Sequence, residues 1–257
     1  MNFLARLFKP KAKPVSNVIM SMILLGNENS FSYSTFITNV KSKFEIKDES
    51  GDNTAGVFTI GNDSVSIMHI NAPVPDGDIE GTAKYAYNWV SATDDLKDHR
   101  SHVIIALMDS DSGPVSRFKL LTNLICCGLT DDAIGVYNGG QSLLTAKKEY
   151  LESAALMSDD TLPLNLWIYF GLRSAQSLSN GYTYGLSAFN KTELEIVNSG
   201  KSLEDVYSFL YNAAHYSLLT GAEFKSGETL GGSAEQKIQI SYSRAAFVEG
   251  YSFKFDY

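Results

Sequence analysis

Read for apolar spacing, the chain breaks into short strand-like runs and a few amphipathic helices. VIMSMILL, from residue 18 to 25, is a continuous apolar run of strand length and predicts a buried strand. Tyr33, Phe36, Ile37, Val40 and Phe44 then recur at i, i+3, i+4, i+7 and i+11, the spacing of one helix face. VFTI and SVSIMHI flank Gly61, Asn62 and Asp63, which predicts a hairpin. A helix across residues 81–96 carries Ala83, Ala86, Tyr87 and Val90 on one stripe, and HVIIALM reads as a central strand. The order is βαββαβ.

The pattern then restarts. Phe118, Leu121, Thr122, Ile125 and Leu129 mark a connector helix opened by Pro114 and closed by Gly128. AIGVY predicts a strand, residues 143–155 a helix, LNLWIYF a strand, and TYGL with ELEIV a further strand or pair. A helix from Ser202 to Leu219, a strand over residues 236–243 and a last strand YSFKFDY complete the chain. The helix is the best marked element, with Ser202 and Asp205 spaced as a capping box, Leu203, Val206, Phe209, Leu210 and Ala213 on its apolar face, and Gly221 as its stop. The fold class expected is α+β: two ferredoxin-like βαββαβ units in tandem, with mainly antiparallel sheets and helices packed on one face. The expected organisation is a basic tail over residues 1–14, a first unit over 15–112, and a connector helix with the second unit over 113–257.

Within residues 163–243, the segments PLNLWIYFGL and TYGLSAFNKTELEIV run into the capped helix and then FKSGETLGGSAEQKIQISYS. This run resembles the carboxy-terminal domain of bacterial domain-of-unknown-function family 4261. The resemblance rests on Pro163 to Trp167, Tyr184-Gly185-Leu186, Phe189 and Glu193-Leu194-Glu195, whereas Asn190 and Thr192 depart from it where glycine and proline are expected. It brings no established activity with it.

Charge narrows the choice of partners. The formal net charge is −8, and because Arg6, Lys9, Lys11 and Lys13 make residues 1–14 carry +4, the remaining chain carries −12. No basic face of the kind that displaces counterions from nucleic acid is visible, so no nucleic-acid partner is expected. Acidic clusters at Asp76, Asp78 and Glu80, at Asp94, Asp95 and Asp98, at Asp131 and Asp132, and at Asp159 and Asp160 favour encounter with a basic protein. The first fourteen residues lack a signal-peptide pattern, no apolar run approaches the roughly 20 residues of a membrane span, and Phe3, Leu4, Leu7 and Phe8 allow weak membrane-surface contact. Cys126 and Cys127 are adjacent and read as buried thiols without a disulfide, which fits a cytoplasmic protein.

Candidate chemistry is sparse. Asp109 and Asp111 follow a strand as a magnesium-binding acidic pair would, but the calcium-loop spacing fails, with Gly113 fifth and Leu120 twelfth. The run from Asn138 through Gly139, Gly140 and Gln141 to Ser142 suggests a tight turn or an anion cradle at a helix start, without the lysine of phosphate loops. His69, His99, His102 and His215 have no metal-ligand spacing, and no metal or other cofactor is expected. Glu193 and Glu195, two apart on a strand, share a face and offer an acid and base pair if buried together. The expectation is therefore a non-enzymatic cytoplasmic interaction module, an immunity protein neutralising a basic toxin by direct binding, with Trp167, Tyr182, Tyr184, Glu193 and Glu195 as interaction candidates. A metal-dependent hydrolase using paired carboxylates and a membrane-surface adaptor are the alternatives.

Overall fold

The computed structural model describes residues 18–75, 77–108, 110–231 and 237–257. The basic tail, Asp76, Asp109 and Gln236 lie outside the described residues. The first half of the chain runs β1 (Ile19–Leu25), α1 (Tyr33–Lys41), β2 (Lys47–Gly51), β3 (Ala55–Ile60), β4 (Asp63–Ile70), α2 (Asp78–Ala83), α3 (Ala92–Leu96), β5 (Ser101–Leu107) and α4 (Pro114–Gly128). The second runs β6 (Ala133–Asn138), β7 (Leu143–Ala146), α5 (Lys147–Ala155), β8 (Tyr169–Ala175), β9 (Leu178–Tyr184), β10 (Leu194–Ser199), α6 (Leu203–Thr220), β11 (Thr229–Leu230), β12 (Ile238–Arg244) and β13 (Tyr251–Phe255).

The strands form two sheets, ordered β2-β3-β4-β5-β1-β6-β7 and β11-β12-β13-β10-β9-β8. Every neighbouring pair is antiparallel except β10 and β13. The mixed α+β class with mainly antiparallel sheets therefore holds. The order differs from a ferredoxin-like plan, in which β1 would lie between β4 and β5; here β5 lies between β4 and β1. A boundary after residue 112 does not separate the sheets either, since β6 and β7 pair into the first one. Nor are helices confined to one face of that sheet. Ile23 and Leu25 pack with Phe36, Val40, Phe118 and Ile125 of α1 and α4, whereas Leu24 packs on the opposite side with Ile79, Ala83, Ala92 and Leu96 of α2 and α3.

Local chemistry accounts for the elements. The α6 capping box is complete: the Ser202 hydroxyl accepts from Asp205 N at 3.0 Å and Ser202 N donates to the Asp205 carboxylate at 3.3 Å. The predicted helix over 81–96 is two short helices, because Trp89 Nε1 and the Ser91 hydroxyl both donate to Asp95 and hold an irregular turn between them. Residues 143–146 are a strand rather than the start of α5, drawn into the sheet edge by pairing with β6. β2 escaped prediction because KDESG is exposed throughout and has no apolar alternation.

One continuous core joins the sheets. Its joint is aromatic: Phe118 of α4 meets Phe189 at 4.4 Å and Trp167 at 5.8 Å, and Trp167 Nε1 donates to Thr122 Oγ1 at 2.9 Å. Beside it, Arg117 donates through Nε to Asp63 at 3.2 Å and through Nη2 to Leu107 O at 3.0 Å, while Ser110 and Ser112 donate to the same carboxylate. Asp63 and Arg117 are both buried. No helix among the described residues is long and apolar enough to cross a membrane.

Trp167→Ala should lower stability by about 3–5 kcal/mol in urea denaturation, since it opens a cavity and removes the Thr122 partner.

Candidate functional site

Pairing and side-chain alternation bring three of the five candidates, Tyr182, Tyr184 and Glu195, to one face of the second sheet. Phe170 packs on Tyr207 and Tyr211 of α6, and a Cβ on Gly181 would meet Val206 and Leu210, so these positions face the helix. Their neighbours Tyr169, Arg173, Tyr182 and Tyr184 point the other way. Tyr169 pairs with Tyr184, Gly171 with Tyr182, and Tyr182 with Glu195. Glu193 lies just before β10 and accepts from the hydroxyl of Thr183, the partner of the helix-facing Phe170. Trp167 does not join them. At 1% exposure it belongs to the joint between the sheets and is no surface anchor.

Rings run in a row across this face. Tyr87, from the connection between α2 and α3, lies 6.3 Å from Tyr169; Tyr169 lies 6.1 Å from Tyr182; and Tyr182 stacks on Phe247 at 5.5 Å. The Arg173 guanidinium sits 5.8 Å from the Tyr182 ring and 5.6 Å from Phe247, within cation–π range. Gly171 makes the row possible, since a Cβ there would stand 2.2 Å from the Tyr182 ring. Tyr85, Tyr87 and Tyr184 are exposed at 65%, 46% and 42%.

The two carboxylates tie connecting loops to the sheet. Glu195 is fully buried: its oxygens accept from Ala246 N at 2.9 and 3.0 Å, Phe247 N at 2.8 Å and the Ser252 hydroxyl at 2.8 Å, with Lys254 Nζ 3.7 Å away. These bonds fold the loop between β12 and β13 over the sheet and set Phe247 on Tyr182. Glu193 accepts from the Thr183 hydroxyl at 2.7 Å, Gly185 N at 2.9 Å and Ser187 N at 3.2 Å. Gly185 adopts φ +121°, a conformation that disfavours any side chain, to present that amide. Burial pushes the Glu193 carboxyl up, against the opposing pull of these bonds. Each carboxylate accepts from two backbone amides and one hydroxyl, so each serves as a turn clamp.

At the end of the row, Tyr85, Tyr87, Asn88, Thr145, Glu149, Asn165 and Tyr169 surround a cavity of about 20 Å³, room for a water molecule. Burial pushes the half-buried Glu149 carboxyl up, Glu152 adds to the shift, and Asn88 opposes it. Burial and the nearby Tyr207, Tyr169 and Glu149 raise Tyr87.

The other candidates are dispersed. Asp111 is exposed, and the serines on either side of it hold Asp63. The Asn138 to Ser142 turn leads into β7 rather than a helix, so it is not a helix-start anion cradle. His99 is held between Leu96 O and Val74 N, His102 by Ala72 O, and His215 by Leu162 N. Burial pushes the Cys126 thiol up to about 11 and raises Cys127, which leaves both inert at neutral pH. Among the described residues no group of three His, Cys, Asp or Glu side chains is placed to hold a metal ion.

Residues 182–256 match the model of the family described as a domain of unknown function, DUF4261. The resemblance drawn from the sequence holds over this carboxy-terminal segment. It contains Tyr182, Tyr184, both carboxylate clamps, α6 and Phe247, and leaves Pro163 to Trp167, Tyr169 and Arg173 outside. No curated protein and no solved structure matches the chain.

Sequence reasoning missed Tyr87, Tyr169, Arg173, Phe247 and Glu149. The alternation of Tyr169, Gly171 and Arg173 against Phe170 and Leu172 carried a readable signal for the first strand of the face. Phe247 and Tyr87 sit in irregular connections, where spacing reports nothing.

Glu195→Gln should loosen the loop over residues 245–250, seen as faster hydrogen exchange at Ala246 and Phe247 while α6 stays protected. The raised pKa of Glu149 means that its contribution to stability is fully present below the unfolded value near 4.5 and is lost as pH rises through its folded value. Glu149→Gln should therefore stabilise the protein at pH 7, with the gain vanishing by about pH 4 in urea titrations.

Proposed function

We propose that this protein is an interaction module that captures a basic protein partner on the tyrosine-lined face of its second sheet. The observation that carries this reading is the row of rings from Tyr87 through Tyr169 and Tyr182 to Phe247, flanked by exposed Tyr184 and braced by Arg173. Tyrosines provide large contact area with few rotatable bonds, and pinned in a row they lose little entropy when a partner covers them. The net charge of −8 selects for a basic partner through long-range steering.

Neutralisation of a toxin is the finer form of this reading. An immunity protein acts by occlusion, which asks for a rigid, complementary surface and no reactive centre. The Glu193 and Glu195 clamps supply rigidity by pinning the turn that follows Tyr184 and the loop that carries Phe247. A carboxylate-based hydrolase finds no support in their geometry, and the membrane-adaptor reading rests on residues 1–14, outside the described residues.

The test is co-expression with the protein encoded by the neighbouring reading frame, scored by growth rescue and by calorimetric titration of the purified pair. Tyr184→Ala should weaken binding by about 2 kcal/mol, roughly thirty-fold, and raising salt from about 50 to 300 mM should slow association. Equal affinity of wild type and Tyr184→Ala, or affinity indifferent to salt, would overturn the proposal.

A further inference from the structure

A second cleft, of about 940 Å³, shares no residue with the ring row and lies where β1 and β6 diverge. That volume falls in the range of ligand sites. β1 pairs with β5 over its whole length, from Ile19 to Leu25, but with β6 only from Met22 onward. Leu25 O accepts from Arg100 N on the β5 side, and Gly26 N donates to Asp132 O on the β6 side. Strand alternation therefore directs the main-chain groups of Leu24, Met22 and Met20 toward β6. Met22 stands opposite Tyr137. Opposite Met20 no described strand follows, because β6 ends at Asn138 and the chain bends away through the turn Gly139–Gln141.

The walls of this cleft carry polar groups without partners. Ser21, Asn138 and Gln141 all line it at 4%, 6% and 8% exposure. None of their side chains makes a hydrogen bond to another described residue. None of the three is among the fully buried side-chain atoms that lack a hydrogen-bond partner, so their polar atoms open onto the cleft, where an occupant can reach them. The lining is close to neutral in recognition terms. Of its two charged side chains among the described residues, Arg117 is compensated by Asp63, leaving Asp78. Asn138 and Gln141 each offer an amide N–H donor and a carbonyl acceptor, the complement of a peptide group.

We infer that this cleft accepts an extended segment of a partner polypeptide, which adds to the open edge of β1 at Met20 while Asn138 and Gln141 read its main-chain amides. Strand addition supplies affinity through main-chain hydrogen bonds and takes its specificity from the side-chain pockets along the edge. The inference rests on the protein-binding reading only in naming a polypeptide as the occupant; the surface and the residues are different.

The experiment pans a displayed library of random peptides of about twelve residues against the intact chain. Affinities of the selected peptides, made synthetically, are then measured by fluorescence anisotropy. Met20→Pro removes the open-edge N–H and leaves the bonds to β5 in place. It should weaken binding about ten-fold or more, as should the double change Asn138→Ala with Gln141→Ala, whereas Tyr184→Ala should not change it. Gly140→Trp, where nothing lies within 4 Å of an added Cβ, is a second variant that crowds the cleft without disturbing the core and should also weaken binding. Failure to select any peptide, or equal affinity of wild type, Met20→Pro and Gly140→Trp, overturns the inference. Loss of binding only with Tyr184→Ala also overturns it and leaves the protein-binding reading standing. Displacement of the selected peptides by a synthetic peptide of residues 1–17 would assign the cleft to the chain's own amino-terminal segment and overturn it as well.

Discussion

The packing of Phe118, Trp167 and Phe189 is the contact on which the remaining architecture depends. Two sheets that share no strand pairing must be held by side chains alone, and this cluster, tied by the Trp167 bond to Thr122, is where α4 of the first sheet meets the second. Burial of large rings is worth a few kcal/mol each, and the hydrogen bond fixes the indole in one orientation. Because α4 also packs against β1 and β5, the position of the second sheet is referred directly to the centre of the first.

From that joint follows the arrangement of the outer face. Tyr87 belongs to the first sheet's covering segment and Tyr169 to the edge strand of the second, so their contact exists only when the two sheets are locked in register. Glu149, from the helix beside β7, loses solvent for the same reason. Farther along, the row is held by local devices: a glycine under Tyr182, and a buried carboxylate that draws in the loop carrying Phe247. The rigidity is electrostatic at one margin and steric at the other.

The carboxylates show how the same residue types serve different ends. Their spacing in the sequence offers Glu193 and Glu195 as two reactive groups on one strand face. Their surroundings decide otherwise. A carboxylate that accepts two backbone amides is a loop anchor, because those bonds tie it to the fold and offset its removal from water. The buried Asp63–Arg117 pair acts similarly at the end of β5, where two serines donate to the carboxylate and two main-chain carbonyls accept from the guanidinium.

Local features determined what they could reach. The capping box at Ser202, the stop at Gly221, the apolar run of β1 and the side-chain alternation near Tyr182 were all legible, because each rests on chemistry between residues a few positions apart. The mixed α+β class followed from them. Tertiary structure alone decided the strand order, since the choice of β6 over β4 as the second neighbour of β1 is made by long-range burial that leaves no mark in spacing. It also buried Trp167 instead of exposing it, brought Phe247 and Tyr87 from irregular segments into the row, and left Met20, Asn138 and Gln141 facing an open cleft. A sequence records which side chains seek burial; which surfaces meet to provide it is a property of the whole packed chain.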